Sequence, residues 1–204
     1  AADSLSARDE EKAEEIRRKD KEIDALEEKI NEESATLIAR RAPTAIDLRL
    51  ILSVLKISGN LERIGDYAKN MAKRTSVLVQ LTEINEAHVS LKRMARDVSL
   101  MLKDALDAYI SRDAELALDV IKRDREIDQL YNALFREFLT FMMEDPRNIT
   151  ACMHLHFIAK NTERMGDHVT SIAEQTVYLV TGEKPDEARK KGDVTSTDAR
   201  VSEV

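Results

Sequence analysis

The sequence predicts an all-α protein built as two tandem three-helix bundles, with most of the first bundle's opening helix missing from the chain. Three observations carry this. Helix-favouring residues dominate: aromatics make up 4% of the 204 residues, Trp is absent, and there are only five Gly and three Pro. Apolar residues recur at helical spacing along nearly the whole chain. Finally, Asn60-Leu61-Glu62-Arg63-Ile64-Gly65-Asp66 returns as Asn161-Thr162-Glu163-Arg164-Met165-Gly166-Asp167 with five identities, which marks an internal duplication.

The elements follow in order. Ile16, Ile23, Ile30 and Leu37 recur every seven residues and define a helix over about 9–41. Ala42-Pro43 ends it, since proline disfavours continuation of one helix and suits the first turn of the next. From Leu50, the residues Val54, Ile57, Leu61, Ile64, Ala68 and Met71 alternate steps of four and three, giving a long helix that runs to about Leu81. Ala87, Leu91, Met94, Val98, Met101, Ala105 and Ala108 form the next stripe, and Ser111-Arg112-Asp113 is a corner in which Ser111 or Asp113 caps the following helix. Val120, Ile127, Leu134 and Phe141 repeat the seven-residue spacing at an offset of 104. Pro146 breaks the chain as Pro43 did. Leu155, Ile158, Thr162, Met165, Val169 and Ile172 then repeat the first long stripe at an offset of 101, with Thr162 its one polar intruder.

Residues 1–82 therefore form the first repeat, 83–181 the second, and 182–204 a flexible polar tail without apolar period. Residues 1–7 match only the last turns of the helix at 87–110. If that opening helix is absent, the first bundle is expected to leave an apolar groove, which a second copy of the chain could fill to give a homodimer.

Composition narrows the function. A net charge of −7 and no basic stripe interleaved with aromatics speak against nucleic acid as a direct partner. No apolar run approaches the ~18 residues that cross a bilayer, and Ala1-Ala2-Asp3 is not the start of a signal peptide. Cys152 is the single cysteine, expected as a small hydrophobe inside a helix in a reducing cytoplasm.

The duplicated segments are acidic. Asp20-Lys21-Glu22-Ile23-Asp24 is matched by Asp124-Arg125-Glu126-Ile127-Asp128, about forty residues before each Asn-x-Glu-Arg-x-Gly-Asp. Residues four apart on a helix lie about 40° and about 6 Å from each other, so Asp20 with Asp24, and Glu62 with Asp66, point the same way. Neighbouring helices would then gather four carboxylates in each repeat: Asp20, Asp24, Glu62 and Asp66, then Asp124, Asp128, Glu163 and Asp167. Asn70 and Ser171 stand four residues beyond Asp66 and Asp167, so the repulsion looks uncompensated by side chains. A hard, multiply charged metal ion would relieve it, and one patch can hold more than one. Magnesium, manganese and iron suit such oxygens; zinc, which usually recruits His or Cys, is an alternative. Gly65 and Gly166 point to close approach of a neighbouring helix, because glycine inside a helix costs about 1 kcal/mol relative to Ala. An acidic pair four apart is also common on solvated helix faces; recurrence at matched positions is what favours a site. Arg63 and Arg164 either brace the carboxylates or are solvated. Cys152 and His156 stand where Ile51 and Leu55 stand in the first repeat and are expected to pack, while His168 could touch an ion held by Asp167.

These motifs resemble those of the PhoU family, bacterial regulators of phosphate uptake. The resemblance rests on Leu61 to Asp66, Glu163 to Asp167, Ala39-Arg40-Arg41-Ala42-Pro43 followed by Asp47-Leu48-Arg49, and the two Asp-x-Glu-Ile-Asp segments, and it covers about residues 1–181. It implies two three-helix bundles in tandem, each holding a multinuclear cluster of iron or another divalent ion, with the eight carboxylates above as ligands. It also implies a cytoplasmic regulator rather than an enzyme. Such a regulator couples the ATPase subunit of a phosphate ABC transporter to a membrane-bound sensor histidine kinase and restrains transport and the starvation response when phosphate is plentiful. Two alternatives stand beside this: a helical scaffold without functional metal, and a di-iron carboxylate enzyme. The latter class uses Glu-x-x-His motifs, and none of His88, His154, His156 or His168 follows a Glu by three residues.

Overall fold

A computed structural model of the chain describes residues 1–81, 84–185 and 195. The described residues are all-α, with six helices: α1 (Ala2–Ser6), α2 (Glu10–Arg41), α3 (Ala45–Leu78), α4 (Asn85–Ser111), α5 (Ala114–Glu144) and α6 (Ile149–Thr181), the last preceded by a 3₁₀ turn at Pro146–Asn148. The expected boundary at 82–83 and most of the expected flexible tail, residues 186–194 and 196–204, lie outside the described residues.

The two corners use the same local chemistry. At the first, Arg8 takes a positive φ of 51° and Asp9 caps α2 by accepting from the Lys12 N–H; at the second, Arg112 takes 58° and Asp113 caps α5 by accepting from the Glu115 and Leu116 N–H groups. Of the two expected caps at this corner, Asp113 acts and Ser111 does not, since its hydroxyl donates back to the Asp107 carbonyl. Arg8 also donates to the carbonyls of Leu78, Val79 and Leu81, closing the open end of α3.

α4, α5 and α6 pack on one another, α2 packs on α3, and α3 packs on α6, joining the two halves of the chain. The five-residue α1 touches α2, α3 and α4. The core runs through Leu91, Met94, Met101, Ile127, Leu134, Phe138, Leu155, Ile158 and Ile172, all on α4, α5 or α6 and among the stripes read from the sequence, Phe138 excepted. The polar intruder Thr162 is buried without penalty because its hydroxyl donates to the Ile158 carbonyl and lies 3.8 Å from the Met71 sulfur. Cys152 is buried, and His156 sits among the rings of Tyr131, Phe135 and Phe157 at centroid distances of 5.4 to 5.9 Å.

The α3–α6 seam is antiparallel and polar at intervals. Arg49 lies over the Tyr178 ring, Arg74 stacks 4.2 Å from the Phe157 ring centre and contacts His154 Nδ1 at 3.3 Å, and His168 Nδ1 hydrogen-bonds Asn60 at 2.7 Å. Burial, and then the Arg74 charge, push the His154 pKa below the ordinary value.

Candidate metal centre

Antiparallel pairing of α2 with α3, and of α5 with α6, brings each Asp-x-Glu-Ile-Asp segment beside its Asn-x-Glu-Arg-x-Gly-Asp segment. The glycines set the approach. A Cβ placed on Gly65 would lie 3.1 Å from Ile23 Cδ1 and 3.5 Å from Asp20 Oδ1; one on Gly166 would lie 3.4 Å from Asp124 Oδ1 and 3.5 Å from Ile127 Cγ2. In both repeats, therefore, the leading aspartate and the central isoleucine of one helix rest on the bare backbone of the next.

In the first patch Asp20 is buried, Glu62 and Asp66 are half-buried, and Asp24 is exposed. Lys69 Nζ reaches Asp20 Oδ2 at 2.5 Å and Asp66 Oδ1 at 3.1 Å. This corrects the expectation of uncompensated repulsion: the cation stands three residues beyond Asp66, where one helical turn presents it as well as a spacing of four would. The paired carboxylates push the Lys69 pKa well above the ordinary lysine range. Glu62 moves the other way: burial raises its pKa, and the negative charges of Asp66 and Asp24 add to that against the pull of Arg63. Asp20 Oδ1 is buried with no hydrogen-bond partner among the described residues.

In the second patch Asp124, Asp128 and Glu163 are all buried and Asp167 is half-buried. Lys160 Nζ pairs with Glu163 Oε1 at 3.0 Å and stands 4.8 Å from the Tyr131 ring centre. The Arg positions behave differently from each other: Arg63 Nε is 3.7 Å from Glu62 Oε2, whereas Arg164 lies over the Tyr67 ring across the seam.

The donor set is all carboxylate oxygen, which suits a hard cation. Asp20 Oδ1 in particular is a buried acceptor that Lys69 leaves unused. In the side-chain arrangement seen, however, no group of three or more His, Cys, Asp or Glu among the described residues is disposed to hold a metal ion. The carboxylate oxygens suit a hard cation in chemistry, and in the first patch the Lys69 ammonium already engages two of them. The sequence reading missed both lysines and the Asn60–His168 link.

The PhoU domain profile matches residues 1–75 and 91–176. The chain is 48% identical over 177 residues to the phosphate-specific transport system accessory protein PhoU homolog of Caulobacter vibrioides, covering 87% of this chain and 77% of the relative. The crystal structure of PhoU from Pseudomonas aeruginosa superposes with a TM-score of 0.87 at 39% identity, over 89% of this chain and 87% of that one. The phosphate transport system regulatory protein PhoU of Streptococcus pneumoniae superposes at 0.81 and 34% identity, over 90% and 86%.

Proposed function

The chain belongs to the PhoU family of accessory and regulatory proteins, which is not a family of enzymes, and from that premise we propose that it negatively regulates phosphate uptake and the phosphate-starvation response. It does so by binding: one face meets the ATPase subunit of a phosphate ABC transporter, and another meets the sensor histidine kinase of the phosphate two-component system. No helix among the described residues is long and apolar enough to cross a membrane, so on this reading the protein reaches the membrane through its partners, from the cytoplasmic side. Its architecture is two tandem three-helix repeats, and the exposed apolar residues Ile23, Leu26 and Leu37 of α2 support assembly as a homodimer.

The observation that carries the reading is the duplicated Asn-x-Glu-Arg-x-Gly-Asp motif, set twice against an Asp-x-Glu-Ile-Asp helix in a chain with these relatives. Asp20, Asp24, Glu62 and Asp66 would hold metal in the first patch, and Asp124, Asp128, Glu163 and Asp167 in the second. Bound iron, manganese or magnesium would supply positive charge that ties two helices together and fixes the faces presented to partners. Gly65 and Gly166 keep the helices close enough for both to contribute ligands.

Deletion of the gene tests the regulatory reading: phosphatase and transporter expression should become high in phosphate-rich medium, and normal repression there would sink it. A metal-free scaffold is the second reading, favoured by the lysines that already neutralise part of each patch.

A further inference from the structure

We propose that one face of the α3–α6 pair is a duplicated docking surface, with Leu48 and Leu52 at one end and Ile149 and Met153 at the other, for a two-fold symmetric partner: the paired ATPase subunits of the transporter. It rests on the regulatory reading above and names the face that reading leaves unassigned.

The two pairs are counterparts under the offset of 101 that relates the halves of the chain. All four residues are between 36% and 46% exposed, so each copy keeps large apolar side chains in water at the same two positions, four apart on one helix face. A single exposed leucine is ordinary; recurrence at matched positions marks a surface in use. The same ridges carry Lys56 and Arg63 on α3 and Phe157 and Arg164 on α6, all exposed, with no carboxylate among them. The complementary surface is therefore apolar at its two ends and acidic between.

Seam geometry puts both ends on one side of the molecule. Arg49 meets Tyr178, Asn60 meets His168 and Arg74 meets His154, an antiparallel register in which Ile64 stands about level with its own counterpart Met165. A two-fold axis relating two such helices is normal to the plane that holds them, so matched residues that point off that plane share a face. Leu52 lies about 100° round α3 from Met71, whose sulfur is 3.8 Å from the Thr162 hydroxyl of α6, and so it points off the plane. In this register the two apolar pairs stand about 40 Å apart, at about 1.5 Å per residue. Globular subunits of about 100–250 residues packed side by side have centres about 35–45 Å apart, whereas equivalent surfaces of a paired-helix stem are only about 20 Å apart. The spacing fits two ATPase subunits related by their own two-fold axis.

Equilibrium binding of the full chain to the purified ATPase subunits, paired by a non-hydrolysable ATP analogue, tests the assignment. Wild type should bind as one chain per two ATPase subunits in light scattering. Leu52→Glu and Met153→Glu should each weaken binding about tenfold or more, because each leaves one station and forfeits the gain from joining two, and together they should abolish it. Leu100→Glu, on the exposed surface of α4, should bind as wild type does. If the charged double variant does not fold, Leu52→Ser with Met153→Ser decides. Undiminished ATPase binding by the folded double variant overturns this assignment alone, and loss of kinase binding or of self-association in its place would give the face to that occupant. Wild type that does not bind the ATPase subunits overturns the ATPase contact of the regulatory reading along with it.

Discussion

In the first half of the molecule the ammonium of Lys69 lies between Asp20 and Asp66; in the second half that station is Thr170, and charge instead reaches Glu163 from Lys160, whose own counterpart is Gly59. The duplicated motif kept its carboxylates and glycine while the two copies placed a neutralising cation on opposite sides of them. Burial diverged as well. α5 is packed between α4 and α6, whereas α2, among the described residues, packs mainly on α3 and to a lesser extent on α1. Hence Ile127 is 2% exposed where Ile23 is 36%, and Asp128 is buried where Asp24 is exposed. The same four carboxylates thus sit in a shallow setting in one repeat and a deep one in the other.

The largest expected contrast comes from the lysines. Lys69→Met strands two carboxylates on two helices, one of them buried, and should cost about 3 kcal/mol in metal-free protein, the lower end for breaking a buried pair. Lys160→Met removes the ammonium from the buried Glu163 and should cost about 1–2 kcal/mol. Denaturant titration of both variants checks the order, and a larger loss at Lys160 would break the comparison.

The glycines come next. Gly166→Val drives a branched side chain into Asp124 and Ile127, both buried, and should cost about 2 kcal/mol. Gly65→Val meets the half-exposed Ile23, which can turn aside, and should cost less than about 1 kcal/mol. Thermal unfolding of the pair measures the difference.

The smallest effect has opposite signs in the two repeats. Glu62 has a raised pKa in the folded protein, so its contribution favours folding below the ordinary glutamate range and is lost as pH rises through the raised value. Glu62→Gln should therefore stabilise metal-free protein by about 0.3 kcal/mol at neutral pH, the scale of like-charge repulsion along a helix, and by nothing below about pH 4. Glu163→Gln removes the partner of Lys160 and should destabilise. Stability curves against pH for both variants would show the crossing or refute it.

The helices were legible because heptad and four-three stripes survive in both copies; Pro43 and Pro146 marked breaks, and the structure puts helix ends there. The glycine contacts were legible too, since an unexplained glycine in a helix implies a neighbour. The lysines were not. Neither occupies a position kept between the repeats, and each stands three residues from its own-helix carboxylate, off the spacing of four at which Asn70 and Ser171 follow Asp66 and Asp167. The Asn60–His168 bond joins residues 108 apart across the α3–α6 seam, a pairing fixed by how the two halves meet and carried by no local pattern.

Metal content, measured by elemental analysis on protein purified from iron- and manganese-replete cells, tests the central claim most directly. Wild type should carry at least about one metal ion per patch, and Asp66→Asn with Asp167→Asn should lose most of it while keeping its helical circular dichroism. Negligible metal in wild type, or undiminished metal in the double variant, would contradict the assignment of these two patches.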